Sequence, residues 1–109
     1  QACKFTGSTA GGRNVAMVCA KHLKKGCFEL GGSDPFIVLK GANLERAVDA
    51  AWTSRMANTG QVCISAKRFI ITAPVYDEFR DRILQKIKST AVIGDPSNPQ
   101  TNVGPLASP

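Results

Sequence analysis

Residues 36–72 read FIVLKGANLERAVDAAWTSRMANTGQVCISAKRFIIT, and this stretch decides the fold. Its first four residues are apolar, which predicts a short buried strand over 36–39. A helix is predicted next, because Asn43 is a good N-cap and apolar residues then recur at helical spacing to about Gly60. These apolar residues are Leu44, Ala47, Val48, Ala51 and Trp52. A second strand is predicted over 67–72, so the stretch is a strand–helix–strand unit.

The alternation of strands and helices extends upstream. We predict a strand over 2–6, a Gly-rich turn over 7–12, a helix over 12–25 and a strand over 27–30. The helix is expected to end at Gly26, with three lysines in its last turn and four apolar residues on one face. The lysines are Lys21, Lys24 and Lys25, and the apolar residues are Val15, Val18, Cys19 and Leu23.

A third helix is predicted downstream, with Pro74 at its first position and Asp77 and Glu78 in its opening turn. Its last turn is expected to hold Lys86 and Lys88. Its buried side is predicted to consist of Tyr76, Phe79, Ile83, Leu84 and Ile87. The order of elements predicts an α/β fold. Four short strands bury little surface, so we interpret the chain as an internal fragment of a larger enzyme, with a domain boundary near 32–33.

Composition and charge indicate what this chain is able to bind. The chain has 109 residues with 43% hydrophobic residues, and its mean hydropathy is −0.07. No apolar run approaches the roughly 20 residues of a membrane helix, so we expect no membrane partner. The net charge is +6, and residues 1–28 carry five basic residues and no acid. Such a segment suits an anionic ligand, either a dinucleotide phosphate or a nucleic acid, or is only a solvated helix face.

The four cysteines fall into two groups. Cys3, Cys19 and Cys27 lie beside apolar runs and are expected to be buried small hydrophobic residues in a reducing compartment, which indicates the cytoplasm. Cys63 lies in a loop between a helix and a strand, where nucleophiles are often placed. No CxxC pair occurs and His22 is the only histidine, so no metal site is expected.

Three motifs are candidates for chemistry. The first is the Gly-rich turn at 7–12, which precedes a helix and is able to present backbone N–H groups to a phosphate. The second is Glu29-Leu30-Gly31-Gly32, where a carboxylate at a strand end is a candidate general base. The third is Gly60-Gln61-Val62-Cys63, with the thiol as a candidate nucleophile. Taken singly, each has a plainer interpretation: an ordinary turn, a surface glutamate and a buried structural cysteine.

Taken together, the order and spacing of these motifs resemble the aldehyde dehydrogenase superfamily. The segments that carry the resemblance are Phe5-Thr6-Gly7-Ser8-Thr9, Glu29-Leu30-Gly31-Gly32, Gly60-Gln61-Val62-Cys63, Gly94-Asp95-Pro96 and Gly104-Pro105-Leu106. Residues 33–39 and 66–70 are most similar to the bacterial succinate-semialdehyde dehydrogenases within that family. The resemblance implies the end of a Rossmann-like NAD(P)-binding domain over 1–32. It implies the start of the α/β catalytic domain over 33–109.

The resemblance also implies roles for single residues. Cys63 matches the nucleophile, which forms a thiohemiacetal and then a thioester with a small aldehyde. The resemblance implies succinate semialdehyde as that aldehyde. Glu29 matches the general base that activates the hydrolytic water. The cofactor, NAD or NADP, is expected to contact six residues in and around the first two motifs. These residues are Gly7, Ser8, Gly12, Glu29, Leu30 and Gly31. The backbone N–H of Cys63 is implied as one donor to the oxyanion.

The resemblance sets further expectations and leaves alternatives. The second oxyanion donor of the family, an Asn, lies upstream of this chain, so the isolated fragment is expected to be inactive. Ser65 occupies the position where some relatives have a second redox cysteine, so that disulfide is expected to be absent. The full-length protein is expected to form a homo-oligomer. Two alternatives to this function are an aldehyde dehydrogenase for another substrate class and a basic non-catalytic module. No nucleic-acid partner is expected, because Phe5 and Phe28 are the only aromatic residues of the basic segment.

Overall fold

A computed structural model describes residues 1–108 as two compact units that meet between Gly32 and Ser33. The first unit contains strand β1 (Ala2–Thr6), helix α1 (Thr9–Lys21) and strand β2 (Lys25–Glu29). The second contains strand β3 (Asp34–Val38), helix α2 (Leu44–Met56), a 3₁₀ turn (Ala57–Gly60), strand β4 (Ala66–Ile71) and helix α3 (Ala73–Thr90). The assignment of the first unit to a cofactor-binding domain and of the second to a catalytic domain stays a prediction. None of the helices in the described residues is long and apolar enough to span a membrane.

Each unit is built on one pair of parallel strands. In the first unit β1 pairs with β2, and Phe5 lies in register with Phe28. In the second unit β3 pairs with β4, Phe36 lies in register with Phe69, and the register shifts between Asp34 and Pro35. Parallel strands need a crossover connection, and here each crossover contains a helix, α1 or α2. The α/β fold predicted from the alternation is confirmed.

The hydrophobic core of the second unit lies between its strand pair and its two helices. Its buried members are Val38, Val48, Ala51 and Phe79. Phe36 packs beside this cluster, with its ring centroid 5.3 Å from that of Phe69 and 6.5 Å from that of Phe79. The start of α2 is as predicted, because the Asn43 side chain accepts a hydrogen bond from the backbone N–H of Arg46 at 3.0 Å.

Helix α1 differs from its prediction at both ends. It begins at Thr9, so Gly11 and Gly12 lie within the helix rather than in the preceding turn. It ends at Lys21, because Leu23 adopts a left-handed conformation with φ of 52°. The N–H of Leu23 then donates to Ala20 and that of Lys24 to Cys19, at 3.1 and 2.8 Å. This is a Schellman motif with leucine at the position that glycine usually takes.

Several predictions for residues in and after α1 are wrong. Gly26 does not end the helix but lies in β2, together with Lys25, and Lys24 lies outside α1. Leu23 is 94% exposed because it forms the cap, and Val18 is exposed on the outer side of α1. Cys27 is exposed as well, rather than buried. It shares a strand face with Lys4, its partner in the register, and α1 covers the other face.

Helix α3 also departs from the predicted pattern. Because it begins at Ala73, Pro74 is its second residue and its first turn contains no acid. Asp77 and Glu78 lie one turn further on, where they pair with Arg80 and Arg82 at 2.8 and 2.6 Å. The buried side is narrower than predicted, since only part of α3 packs on α2 and β4. Phe79 is buried and Ile83 half-buried, whereas Tyr76, Leu84 and Ile87 are exposed, and Lys88 is the only predicted lysine in the last turn.

Candidate active site

The first unit holds the Gly7 turn and Glu29 at the ends of adjacent strands. The N–H of Gly7 donates to the carbonyl of Glu29 at 3.0 Å, which joins the end of β1 to the end of β2. Glu29 is exposed as the last residue of β2. These two predicted site residues are therefore brought together at one edge of the strand pair. The carboxyl ends of parallel strands are where α/β folds bind their ligands.

Ser8 is the N-cap of α1 and shapes the start of the helix. Its Oγ accepts a hydrogen bond from the N–H of Gly11 at 3.1 Å, and its carbonyl accepts from the N–H of Gly12 at 2.8 Å. The N–H groups of Thr9 and Ala10 donate to no acceptor among the described residues. No acid lies in the first turn. Free N–H groups at the positive end of a 13-residue helix fit an anionic phosphate, so these residues suit the dinucleotide predicted for this unit.

Gly12 and Gly31 have different surroundings. Gly12 is buried inside α1, and a Cβ placed on it would lie 2.6 Å from Cδ2 of Leu30. The absence of a side chain at Gly12 therefore lets α1 approach the segment after β2 closely, which is a packing role that the sequence prediction did not include. A Cβ at Gly31 would meet no atom within 4 Å, so the space beside it is open. Contact of Gly12, Leu30 and Gly31 with a cofactor stays a prediction.

In the second unit, Cys63 lies on a short turn between the 3₁₀ turn and β4. Three consecutive residues before it, Asn58, Thr59 and Gly60, have positive φ angles of 50°, 57° and 77°. The chain is then closed by a hydrogen bond from the N–H of Ser65 to the carbonyl of Val62 at 3.1 Å. Cys63 is exposed at the top of this turn. Among the described residues Cys63 is therefore not the buried structural cysteine of the alternative interpretation.

Two cations hold the carbonyl groups of the turn. Nη2 and Nη1 of Arg55 donate to the carbonyls of Gly60 and Ala66 at 2.6 and 2.7 Å. Nζ of Lys67 donates to the carbonyls of Val62, Cys63 and Ser65. Neither Arg55 nor Lys67 was singled out from the sequence, where each is one more basic residue near the end of a helix or the start of a strand. No local pattern signals these contacts.

Two polar side chains tie the turn to the segment that follows α3. Gln61 Nε2 donates to the carbonyl of Asn58 at 3.1 Å, and Gln61 Oε1 accepts from the N–H of Ala107 at 2.8 Å. Thr59 Oγ1 donates to the carbonyl of Gly104 at 3.4 Å. The Gly104-Pro105-Leu106 motif therefore lies beside the Cys63 turn in the second unit. Its place beside the turn gives this late motif a structural function.

The other cysteines have surroundings that do not suit a nucleophile. Cys19 is buried, and this burial, together with the neighbouring Cys3 thiol, raises the pKa of Cys19. A raised pKa disfavours the thiolate, which is the reacting form. Cys27 is exposed, but it lies on a strand without a comparable turn. Among the described cysteines, Cys63 alone combines exposure with a rigid turn. Glu29 belongs to the first unit and Cys63 to the second.

We expect Gly60→Ala to destabilise the turn. Gly60 has a φ of 77°, and an added Cβ would lie 2.9 Å from the backbone carbonyl oxygen of Arg55 and against its guanidinium. The left-handed conformation alone costs a residue with a side chain roughly 1–2 kcal/mol. A lower melting temperature in calorimetry of the full-length protein would verify this cost. Gly104→Ala is the matched control, because its Cβ would meet only Pro96 at 3.9 Å. Equal melting temperatures for the two variants would contradict the expectation.

Comparison with known proteins shows what the chain is similar to. A sequence model of the aldehyde dehydrogenase family matches residues 1–109. An NADP(+) succinate-semialdehyde dehydrogenase of Deinococcus radiodurans is 50% identical over 108 residues, which are 99% of this chain and 22% of that protein.

Two solved structures are similar in fold as well. Succinate-semialdehyde dehydrogenase from Burkholderia pseudomallei has a TM-score of 0.89 and 40% identity, over 94% of this chain and 21% of its own. A salicylaldehyde dehydrogenase from Pseudomonas putida G7, complexed with salicylaldehyde, has a TM-score of 0.92 and 38% identity, over 100% of this chain and 22% of its own. The chain thus spans about a fifth of the length of these relatives. Since the family model covers the whole sequence, the chain belongs to the aldehyde dehydrogenase family.

Proposed function

We propose that the full-length protein containing this chain oxidises an aldehyde to the carboxylic acid with NAD(P)⁺ and water. The observation that carries this proposal is the exposed thiol of Cys63, which lies on a turn whose carbonyls accept hydrogen bonds from Arg55 and Lys67. Within the proposal, the first unit is the end of the cofactor-binding domain and the second is the start of the catalytic domain. Membership of the family and the unit boundary at Gly32–Ser33 support this division.

The proposed reaction begins at Cys63. Its thiolate adds to the aldehyde carbon, forming a C–S bond, and the carbonyl oxygen becomes an oxyanion. The N–H of Cys63 donates to no described residue, so it is free to donate to that oxyanion. A bound nicotinamide would supply the hydride acceptor that converts this adduct into a thioester on Cys63. The covalent intermediate thus divides one difficult oxidation into two easier steps.

Glu29 is proposed to complete the reaction as general base. Its carboxylate takes a proton from water, the water oxygen attacks the thioester carbon, and the C–S bond breaks to release the acid and the thiolate. The exposure of Glu29 at a strand end, with open space beside Gly31, leaves room for this water. The cofactor is proposed to lie with its phosphates at the start of α1, near Gly7 and Ser8.

The proposed substrate is succinate semialdehyde and the proposed cofactor NADP. The names of the Deinococcus and Burkholderia relatives support the substrate, and the first of these also names NADP. The salicylaldehyde-bound relative favours the alternative of another aldehyde. All three donors of Lys67 and two N–H groups of Arg55 are bound to carbonyls. Lys67 therefore has no donor left for a substrate carboxylate, which is expected to bind to other residues.

A substrate panel tests this proposal with the full-length protein. We expect kcat/KM for succinate semialdehyde to exceed that for butanal about tenfold or more, because butanal lacks the carboxylate and a charge-assisted hydrogen bond contributes roughly 1.5–3 kcal/mol. The measurement is the absorbance of the reduced nicotinamide, with NAD⁺ and NADP⁺ in parallel. A preference for salicylaldehyde would replace the substrate assignment. No reduction with any aldehyde in the panel would refute the proposed function.

Two predictions about the full-length protein accompany this proposal. A homo-oligomer and a cytoplasmic location are both predicted from the sequence and from its family resemblance. Size-exclusion chromatography with light scattering measures the first, and fractionation of cells measures the second. A monomer would contradict the first prediction without affecting the proposed chemistry.

A further inference from the structure

Lys67 binds three backbone carbonyls of the turn that carries Cys63. Its Nζ donates to the carbonyls of Val62, Cys63 and Ser65 at 3.0, 2.9 and 3.1 Å. A lysine ammonium has three N–H donors, so all of its donors are used inside this one turn. The side chain is half-buried, and no carboxylate among the described residues lies within 4.0 Å of it. Lys67 is therefore engaged with the backbone alone.

These contacts orient the two peptide planes that flank Cys63. In a trans peptide the C=O of one residue and the N–H of the next point in opposite directions. Lys67 holds the carbonyls of Val62 and Cys63 on its own side of the turn. The N–H groups of Cys63 and Ile64 consequently point away from the ammonium, and neither donates to a described residue.

Arg55 donates hydrogen bonds to both ends of the same turn. Its guanidinium binds the carbonyls of Gly60 and Ala66, which bracket the segment held by Lys67. Five carbonyls between 60 and 66 are thus bound by two cations. The hydroxyl of Ser65, 2% exposed, has no hydrogen-bond partner among the described residues, so it adds nothing to this arrangement. These two cations therefore bind most of the carbonyls of residues 60–66.

We propose that Lys67 is a positioning residue for the reaction of Cys63, because it holds the N–H of Cys63 toward the position where the oxyanion develops. The inference rests on the proposed function and assigns to it a residue that touches neither substrate nor cofactor. Donors to an oxyanion must be preorganised to be effective, and a misplacement of about 1 Å costs on the order of 100-fold in rate. Without Lys67, the Cys63 carbonyl has no donor among the described residues, and the Val62 carbonyl keeps only the N–H of Ser65.

The test uses Lys67→Met in the full-length protein. Methionine keeps most of the side-chain length and removes all three donors. We expect kcat to fall about 10- to 100-fold, whereas KM for NADP⁺ stays unchanged, because the cofactor is proposed to bind at the first unit. Lys67→Gln retains two N–H donors and is expected to keep an intermediate kcat. Lys88→Met is the matched control, since Lys88 is an exposed lysine at the end of α3.

Amide hydrogen exchange supplies a readout that does not depend on aldehyde oxidation. Faster exchange is expected in Lys67→Met for the peptide that covers 61–66, with unchanged exchange in α3. Parental kcat in Lys67→Met, or loss of kcat only in step with loss of folded protein, would overturn the inference. If the parent protein oxidises no aldehyde, the proposed function fails. The exchange measurement then still decides the inference about the turn, because unchanged exchange at 61–66 would overturn it independently.

Discussion

Cys63→Ala in the full-length protein is expected to lower the rate of NAD(P)H formation on the order of 1,000-fold or more. Alanine cannot form the C–S bond to the aldehyde, so the route through a thioester is lost. The fold is expected to persist, because Cys63 is exposed and its side chain makes no hydrogen bond that holds the turn. The measurement is steady-state turnover of the purified variant, with its melting temperature recorded alongside.

Cys27→Ala is the matched control for this prediction. Cys27 is also exposed, but it belongs to β2 in the first unit and has no role in the proposed chemistry. It is expected to keep near-parental turnover. Alkylation of the parent protein adds a second measurement, since loss of activity is expected to follow modification of the Cys63 peptide. Full turnover by Cys63→Ala would remove the nucleophile from the proposed mechanism.

Glu29→Gln is expected to lower steady-state turnover about 100-fold or more, while a first burst of reduced nicotinamide persists. Glutamine keeps the shape of glutamate and cannot take a proton from water, so the thioester is expected to form and then accumulate. Rapid-mixing measurements separate the burst from the steady state. The size of the burst, relative to the enzyme concentration, reports how much thioester forms.

Glu45→Gln serves as the control for the loss of one carboxylate. Glu45 is an exposed acid in the first turn of α2 and has no role in the proposed site. Its turnover and burst are expected to match the parent. A Glu29→Gln variant that loses its burst together with its turnover would assign Glu29 to the formation of the thioester instead. Unchanged turnover would leave the hydrolytic step without its proposed base.

Local patterns predicted the elements of the fold well and their ends less well. Asn43 was predicted as the N-cap of α2, and the structure confirms the contact, because a cap depends on residues only three positions apart. The last residue of α1 was predicted at Lys25, four residues too late. Leucine is an uncommon residue for a left-handed cap, so the sequence contained no signal for the Schellman motif at Leu23.

Burial was predicted too broadly for a related reason. Apolar spacing marks the side of α3 that is able to pack, but it does not say how much of that side α2 and β4 cover. Phe79 is buried at the centre of the contact, whereas Leu84 and Ile87 lie beyond it. The exposure of Cys27 depends on which face of β2 packs against α1. Strand alternation leaves that choice open until the two elements are packed.

The sequence by itself determined the α/β class, the family and the residue types of the candidate site, because these depend on short-range spacing and on motifs such as Gly60-Gln61-Val62-Cys63. Only the tertiary structure decided which side chains hold the turn around Cys63. Arg55 reaches Ala66 across 11 positions, and Thr59 reaches Gly104 across 45. Hydrogen bonds between distant residues depend on how helices, strands and loops pack, and no local pattern encodes them.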